Sequence, residues 1–207
     1  SINLTKMLVH DGKKNDIDWK KLDKTISIAI RFLDNVISSN HYLLPNIKHI
    51  TLANRKIGLG VMGWAELLII LGIPYASEKA VELAEVLMKF IQEKSYEASG
   101  NLAKTRGCFP SWNDSRYAPN TLLRNATCNS IAPTGSISVI ADTSYSIEPL
   151  YALAYKRTGI LDDKTQIEIN SIFVEKMKSL GLWSKEIQDE VIANGSIQNI
   201  KYTPKEI

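Results

Sequence analysis

The chain has 207 residues, 44% of them hydrophobic and 23% charged, which is enough for one domain with a sizeable core or for two small ones. Its formal net charge of +3 comes from dispersed lysines; the densest pairs, Lys13-Lys14 and Lys20-Lys21, are interrupted by acids, so the charge argues for a solvated face and against a nucleic-acid patch. No apolar run approaches the ~18–20 residues of a membrane span, nothing at the start reads as a signal peptide, and Cys108 and Cys128 fit neither a zinc pattern nor CxxC, which reads as free thiols in a reducing compartment, the cytoplasm.

Residues 1–9 read as a short strand or extended segment, and His10 to Asn15 as a polar turn. From Trp19 to Ser39, apolar residues at Trp19, Leu22, Ile26, Ile30, Leu33 and Ile37 follow a helical period, with Asp16 or Asp18 as the N-cap. Pro45 interrupts, and a shorter helix is predicted over Ile47–Arg55. A third helix is predicted over Val61–Leu71, stopped by Gly72 and Pro74. Ser77 then starts a long amphipathic helix to Thr105, whose apolar stripe is read as core. The stretch from Cys108 to Asn120 reads as loop, Thr121–Cys128 as a short helix or strand, and Ile137–Ala141 and Leu150–Tyr155 as strands. Helices are expected over Gln166–Leu180, ended by Gly181, and over Ser184–Asn194, with Ser184 capping and Gly195 closing. The rest reads as tail; with no repeat and no linker, residues 1–207 form one domain.

Three patterns could carry chemistry. Gly58, Gly60 and Gly63 spell G-x-G-x-x-G, but the preceding "ITLANRK" is polar and helix-like rather than a buried strand; close helix packing explains the glycines better than a dinucleotide site. The stretch "NSIAPTGSISVIADTS" crowds small hydroxyl residues around Gly135, which can take φ > 0 and let backbone N–H groups converge on a phosphate, with Thr134, Ser136 and Ser138 adding donors; a plain turn between strands is the alternative. Glu148, held extended before Pro149, is either a partner for Arg124 or Arg157 or a surface acid. His10, His41 and His49 share no ligand spacing, and no nucleophile or metal site is evident.

Several segments in order, "SINLTK", "IAIRFLDNVI", "NRKIGLGVMGWAELLIILGIPY", "RNATCNSIAPTGSIS" and "IADTSYSIEPLYALAYKR", resemble the catalytic chain of ribonucleotide reductase. "IAPTGSIS" points to its class II, adenosylcobalamin-dependent branch. The resemblance implies an α/β fold: a largely helical fragment of the family's ten-stranded α/β barrel, truncated at both ends. It implies a substrate-phosphate loop at Ala132, Pro133, Thr134, Gly135, Ser136 and Ile137. It implies thiyl-radical reduction of a ribonucleoside di- or triphosphate, adenosylcobalamin as cofactor, a thioredoxin-type or dithiol reductant and the upstream half of the barrel as partner; it leaves room for a homodimer and calls for no nucleic acid or membrane.

The family's radical cysteine sits in an Asn-x-Cys-x-Glu motif expected just before the segment that opens this chain, and neither Cys108 nor Cys128 matches a family cysteine position. No catalytic residue is therefore assigned, and the chain alone is expected to be inactive. Its start at Ser1 reads as the continuation of a longer polypeptide, through a splice, a split gene or an arbitrary cut. A non-enzymatic helical phosphate-binding module and a Rossmann-type oxidoreductase are the rival readings; the fragment reading predicts a large exposed apolar patch.

Overall fold

The computed structural model describes residues 1–10, 12, 14–160 and 164–197, and the side chains of these except for 155–160 and 164–166. Strand β1 (Ile2–Asn3) leads through a 3-10 turn at Leu4–Lys6 into an antiparallel hairpin, β2 (Leu8–His10) with β3 (Asn15–Ile17). Helix α1 (Trp19–Ser39) starts where Asp18 accepts the Lys21 amide at 2.9 Å, so Asp18 and not Asp16 is the cap. Helix α2 (Pro45–Asn54) begins at Pro45, two residues before the predicted start at Ile47. A proline at the first helical position loses no hydrogen bond, because that N–H has no partner within the helix.

Strand β4 (Val61–Met62) pairs in parallel with β1, Ile2 opposite Val61. The helix predicted over Val61–Leu71 therefore begins late: α3 spans Trp64–Leu71, between left-handed glycines at Gly63 and Gly72. Helix α4 (Glu78–Arg106) carries the Ser77 cap expected of it, with the Ala80 amide donating to Ser77 Oγ at 3.3 Å. The main core lies between α1, α3, α4 and β1/β4, with Leu22, Ile26, Ile30, Leu67, Leu68, Leu87 and Ile91 fully buried. Every residue from Leu59 to Leu68 is buried.

Thr121–Cys128 is neither helix nor strand. It runs alongside the 54–59 segment, the Ile57 amide donating to Thr127 O and the Leu59 amide to Cys128 O, and ends in a parallel bridge between Leu59 and Asn129. The predicted strand Ile137–Ala141 is instead helix α5 (Gly135–Ile140). The alternation of Ile and Val imitates a strand, but the Ser138 amide donates to Thr134 O and closes a helical turn first. Strand β5 covers Ala154–Ile160, later than predicted, and pairs with antiparallel β6 (Lys164–Ile169). Residues 166–169, assigned to a helix from the sequence, thus belong to a strand; α6 follows over Ser171–Ser179 and α7 over Lys185–Asn194. These two helices close on β5 in a small second core around Phe173, Met177 and Val191. The sequence tail beyond residue 197 lies outside the described residues.

Apolar side chains stay exposed on α1 and around the start of α2: Ile28, Phe32 and Val36 are 61%, 63% and 45% exposed, and Leu43, Leu44, Ile47 and Ile50 are also exposed. No described helix is long and apolar enough to cross a membrane.

Candidate functional site

The loop from Asn129 to Ser146 joins β4, α3 and the start of the second core. Thr134, not Gly135, holds its left-handed backbone, at φ 61°. A β-branched residue there costs roughly 1–2 kcal/mol in isolation. Local bonds offset this: Thr134 Oγ1 lies 2.7 Å from Ser138 Oγ and accepts the Ser146 amide at 2.7 Å, all three residues being buried. Gly135, expected to supply the positive φ, does not, and a side chain there would meet open space.

The candidate phosphate residues divide in two. Ala132, Pro133, Gly135, Ser136 and Ile137 are exposed, whereas Thr134 is turned inward and braces the loop. Gly135, Ser136 and Ile137 form the first turn of α5, and among the described residues no acceptor answers their backbone N–H groups. The neighbouring hydroxyls face inward. Ser138 meets Thr134, Thr143 donates to Glu66, and the hydroxyls of Ser144 and Ser146 are buried without a partner among the described residues.

Behind the loop lies a cavity of about 640 Å³, walled by Glu66, Ser138, Thr143, Ser144, Glu148 and Asn170 among others. Glu66 is 5% exposed on the first turn of α3. Its Oε2 accepts Thr143 Oγ1 at 2.7 Å and the Ser144 amide at 3.0 Å; its Oε1 accepts Asn170 Nδ2 at 2.7 Å. Sequence reasoning passed over this residue. The available signal was a lone carboxylate inside "GWAELLIIL", a run otherwise too apolar to face water.

The G-x-G-x-x-G pattern has no dinucleotide-binding context. Gly60 sits where a Cβ would collide with the Ser130 carbonyl, and Gly63, at φ 80°, where it would collide with Thr143 Oγ1. These glycines admit the 129–143 chain against β4 and α3. Glu148 is exposed; the candidate partner Arg124 instead bonds Asp34 and the carbonyls of Arg106 and Gly107, and the other candidate, the Arg157 side chain, lies outside the described residues. His10, His41 and His49 lie on β2, between α1 and α2, and on α2, and among the described residues no His/Cys/Asp/Glu cluster could hold a metal.

Burial pushes the Cys128 thiol up to about 11, only partly opposed by a hydrogen bond with Ser99. A thiol held protonated at neutral pH is a poor nucleophile and a poor metal ligand.

Parallel pairing of β1 with β4, the parallel Leu59–Asn129 bridge and the helices packed against them form a parallel strand-and-helix arrangement of the α/β kind. The family described as "Ribonucleotide reductase, barrel domain" matches residues 1–122 and 119–207, and the chain belongs to that family. It is 46% identical over 202 residues to the "Vitamin B12-dependent ribonucleoside-diphosphate reductase" of Thermoplasma acidophilum, covering 97% of this chain and 26% of that protein. It is 43% identical over 207 residues to the protein of the same name from Mycobacterium tuberculosis, covering all of this chain and 29% of the relative. Among solved structures, the "Actinobacillus ureae class Id ribonucleotide reductase alpha subunit" superposes with a TM-score of 0.73 at 27% identity, over 91% of this chain and 34% of that one. The chain thus spans between a quarter and a third of the length of these two curated relatives. The expected family and barrel fold are borne out, and the Rossmann and helical-module alternatives find no support.

Proposed function

We propose that this chain forms part of the catalytic barrel of a vitamin B12-dependent ribonucleotide reductase and that its share of the active site is the substrate-phosphate loop at residues 132–137. The observation that carries this reading is the set of N–H groups at Gly135, Ser136 and Ile137 that no acceptor among the described residues answers, on an exposed turn whose preceding residue, Thr134, is locked from behind. Adjacent N–H groups with no intramolecular acceptor suit an anion held by neutral donors. The names of the two relatives favour a ribonucleoside diphosphate as substrate.

Adenosylcobalamin is the cofactor this reading implies. When bound, it supplies the radical that starts the chemistry. The exposed apolar side chains of Ile131, Ile137, Val139 and Ile140 around the loop suit an apolar macrocycle face, whereas the three histidines lie elsewhere in the fold. A dithiol or thioredoxin-type reductant closes the cycle. No Asn-x-Cys-x-Glu occurs in the 207 residues, so the chain by itself does not turn over in this reading. A homodimer and a cytoplasmic setting remain part of the proposal.

Reconstitution tests it. The chain is mixed with a polypeptide carrying the Asn-x-Cys-x-Glu region, adenosylcobalamin, a dithiol and each ribonucleoside diphosphate. Deoxynucleotide formed by wild type and abolished by Gly135→Glu or Ser136→Glu supports the reading. The absence of product, with both polypeptides folded, overturns it in favour of a structural fragment.

A further inference from the structure

The phosphate loop is held in place by groups far from it in sequence. Glu66 bonds Thr143 and Ser144 on one side and Asn170 on the other. Residues 144–146 are pinned to the same helix start, since the Gly63 amide donates to Ser144 O at 2.9 Å and the Trp64 amide to Ser146 O at 3.3 Å. These bonds answer N–H groups that the first turn of α3 cannot satisfy by itself. Ser146 then hands the constraint on, its own amide donating to Thr134 Oγ1 at 2.7 Å. Glu66, Ser144, Ser146 and Thr134 are all buried, so a strained link would not be relieved by water.

We infer that Glu66 is a positioning residue for the substrate-phosphate loop, acting through the Thr143–Ser146 strap on Thr134. The inference rests on the phosphate-loop reading above and adds to it the residue that sets the loop's geometry.

The network requires a carboxylate. Both oxygens of Glu66 accept; Thr143 Oγ1 donates to Oε2, and the Ser144 amide on Oε2 and Asn170 Nδ2 on Oε1 are groups that can only donate. Asn170 cannot reverse its amide to suit a glutamine, because its Oδ1 already accepts the Phe173 amide at 2.9 Å as the cap of α6. Glu66→Gln therefore sets an N–H₂ group against a donor on one side, whichever way it is turned. Adding Asn170→Asp removes the conflict, because the aspartate accepts from the glutamine while still capping α6. The double variant keeps the number of negative charges and restores every bond with the proton on the other partner.

The test is steady-state kinetics of the reconstituted reductase, with KM and kcat for a ribonucleoside diphosphate measured separately. E66Q is expected to raise KM about tenfold with kcat within about twofold of wild type, and E66Q/N170D to bring KM back to within about twofold. A purely structural role would lower the active fraction, and so kcat, at unchanged KM. That pattern, an unchanged E66Q, or a double variant no better than the single one overturns the inference. Should E66Q fail to fold, Thr143→Val, which removes one of the donors that Glu66 holds, carries the same comparison: a raised KM supports the inference and an unchanged one overturns it. Wild type that neither binds nor reduces any ribonucleotide overturns the phosphate-loop reading itself, and this inference with it.

Discussion

Asp34 and Arg55 form a buried ion pair, with Arg55 Nη2 2.7 Å from Asp34 Oδ1 and the two side chains 0% and 5% exposed. Arg55 caps α2 in a left-handed conformation, at φ 47°, and its Nη2 also donates to the Asp34 carbonyl and to Ser38 Oγ. The carboxylate further meets Arg106 at 2.9 Å, Arg124 at 3.4 Å and the Asn125 amide at 3.1 Å. One acid thus joins α1, α2, the end of α4 and the segment that leads into the 129–146 loop.

Asp34→Asn leaves Arg55 buried without its counter-charge. The expected loss is about 3–5 kcal/mol, the usual cost of removing one partner of a buried pair. Denaturant unfolding measures it; a loss below about 1 kcal/mol, typical of exposed ion pairs, would show that water reaches the site.

The same pair predicts an acid response. Burial pushes the Asp34 carboxyl up, but its hydrogen bonds with Arg55 and Arg106 and the charges of Arg55 and Arg124 outweigh this and hold it below its ordinary 3.8. A depressed folded-state value means that the unfolded chain takes up the proton first. The stabilisation is therefore complete above about 3.8 and fades as pH falls towards and through the lower folded value. In unfolding followed from pH 6 down to pH 2, the gap between wild type and Asp34→Asn should narrow as the pH falls below about 3.8.

Thr134→Val keeps the shape of the side chain but removes a hydroxyl that meets Ser138 Oγ and the Ser146 amide. Leaving those buried groups unpaired costs about 1–3 kcal/mol. Thr134→Gly loses the same bonds but relaxes the left-handed backbone, so it should prove the less damaging of the two. Comparing their melting temperatures separates backbone strain from hydrogen bonding.

Cys128 is fully buried, with its thiol held up at about 11, whereas Cys108 is partly exposed. Under native conditions at pH 8, a thiol reagent such as DTNB should label one cysteine per chain rapidly and the second only on unfolding. Rapid labelling of both would mean that the 123–128 segment opens readily.

Ile28, Phe32 and Val36, spaced i, i+4 and i+8 along one face of α1, are all exposed. A contiguous apolar face of this kind marks an interaction or aggregation surface. The isolated chain should bind the dye ANS, and Ile28→Lys with Phe32→Glu should reduce that signal while leaving the helical circular dichroism intact.

Much of the helical framework was legible without the structure. In α1, α4 and α7 the 3.6-residue apolar period, the Asp18, Ser77 and Ser184 caps and the break at Gly195 are local features, and local sterics and hydrogen bonding decide them. The order of motifs from "SINLTK" to "SIEPLYALAYKR" likewise identified the family from sequence alone. Tertiary contacts decided the rest. Ile137–Ala141 has the alternation of a strand, yet it is helical because Thr134 is locked by Ser138 and Ser146, the latter 12 residues away. Residues 166–169 have helical neighbours, yet they form a strand because β5 supplies a hydrogen-bonding edge. Asp34 and Glu66 interrupt apolar stripes, and nothing within a few residues of either one supplies the partners they need. Those partners arrive from as far as 91 and 104 residues along the chain. A buried charge is tolerated only where the fold brings such donors to it, so its role becomes visible only once the fold exists.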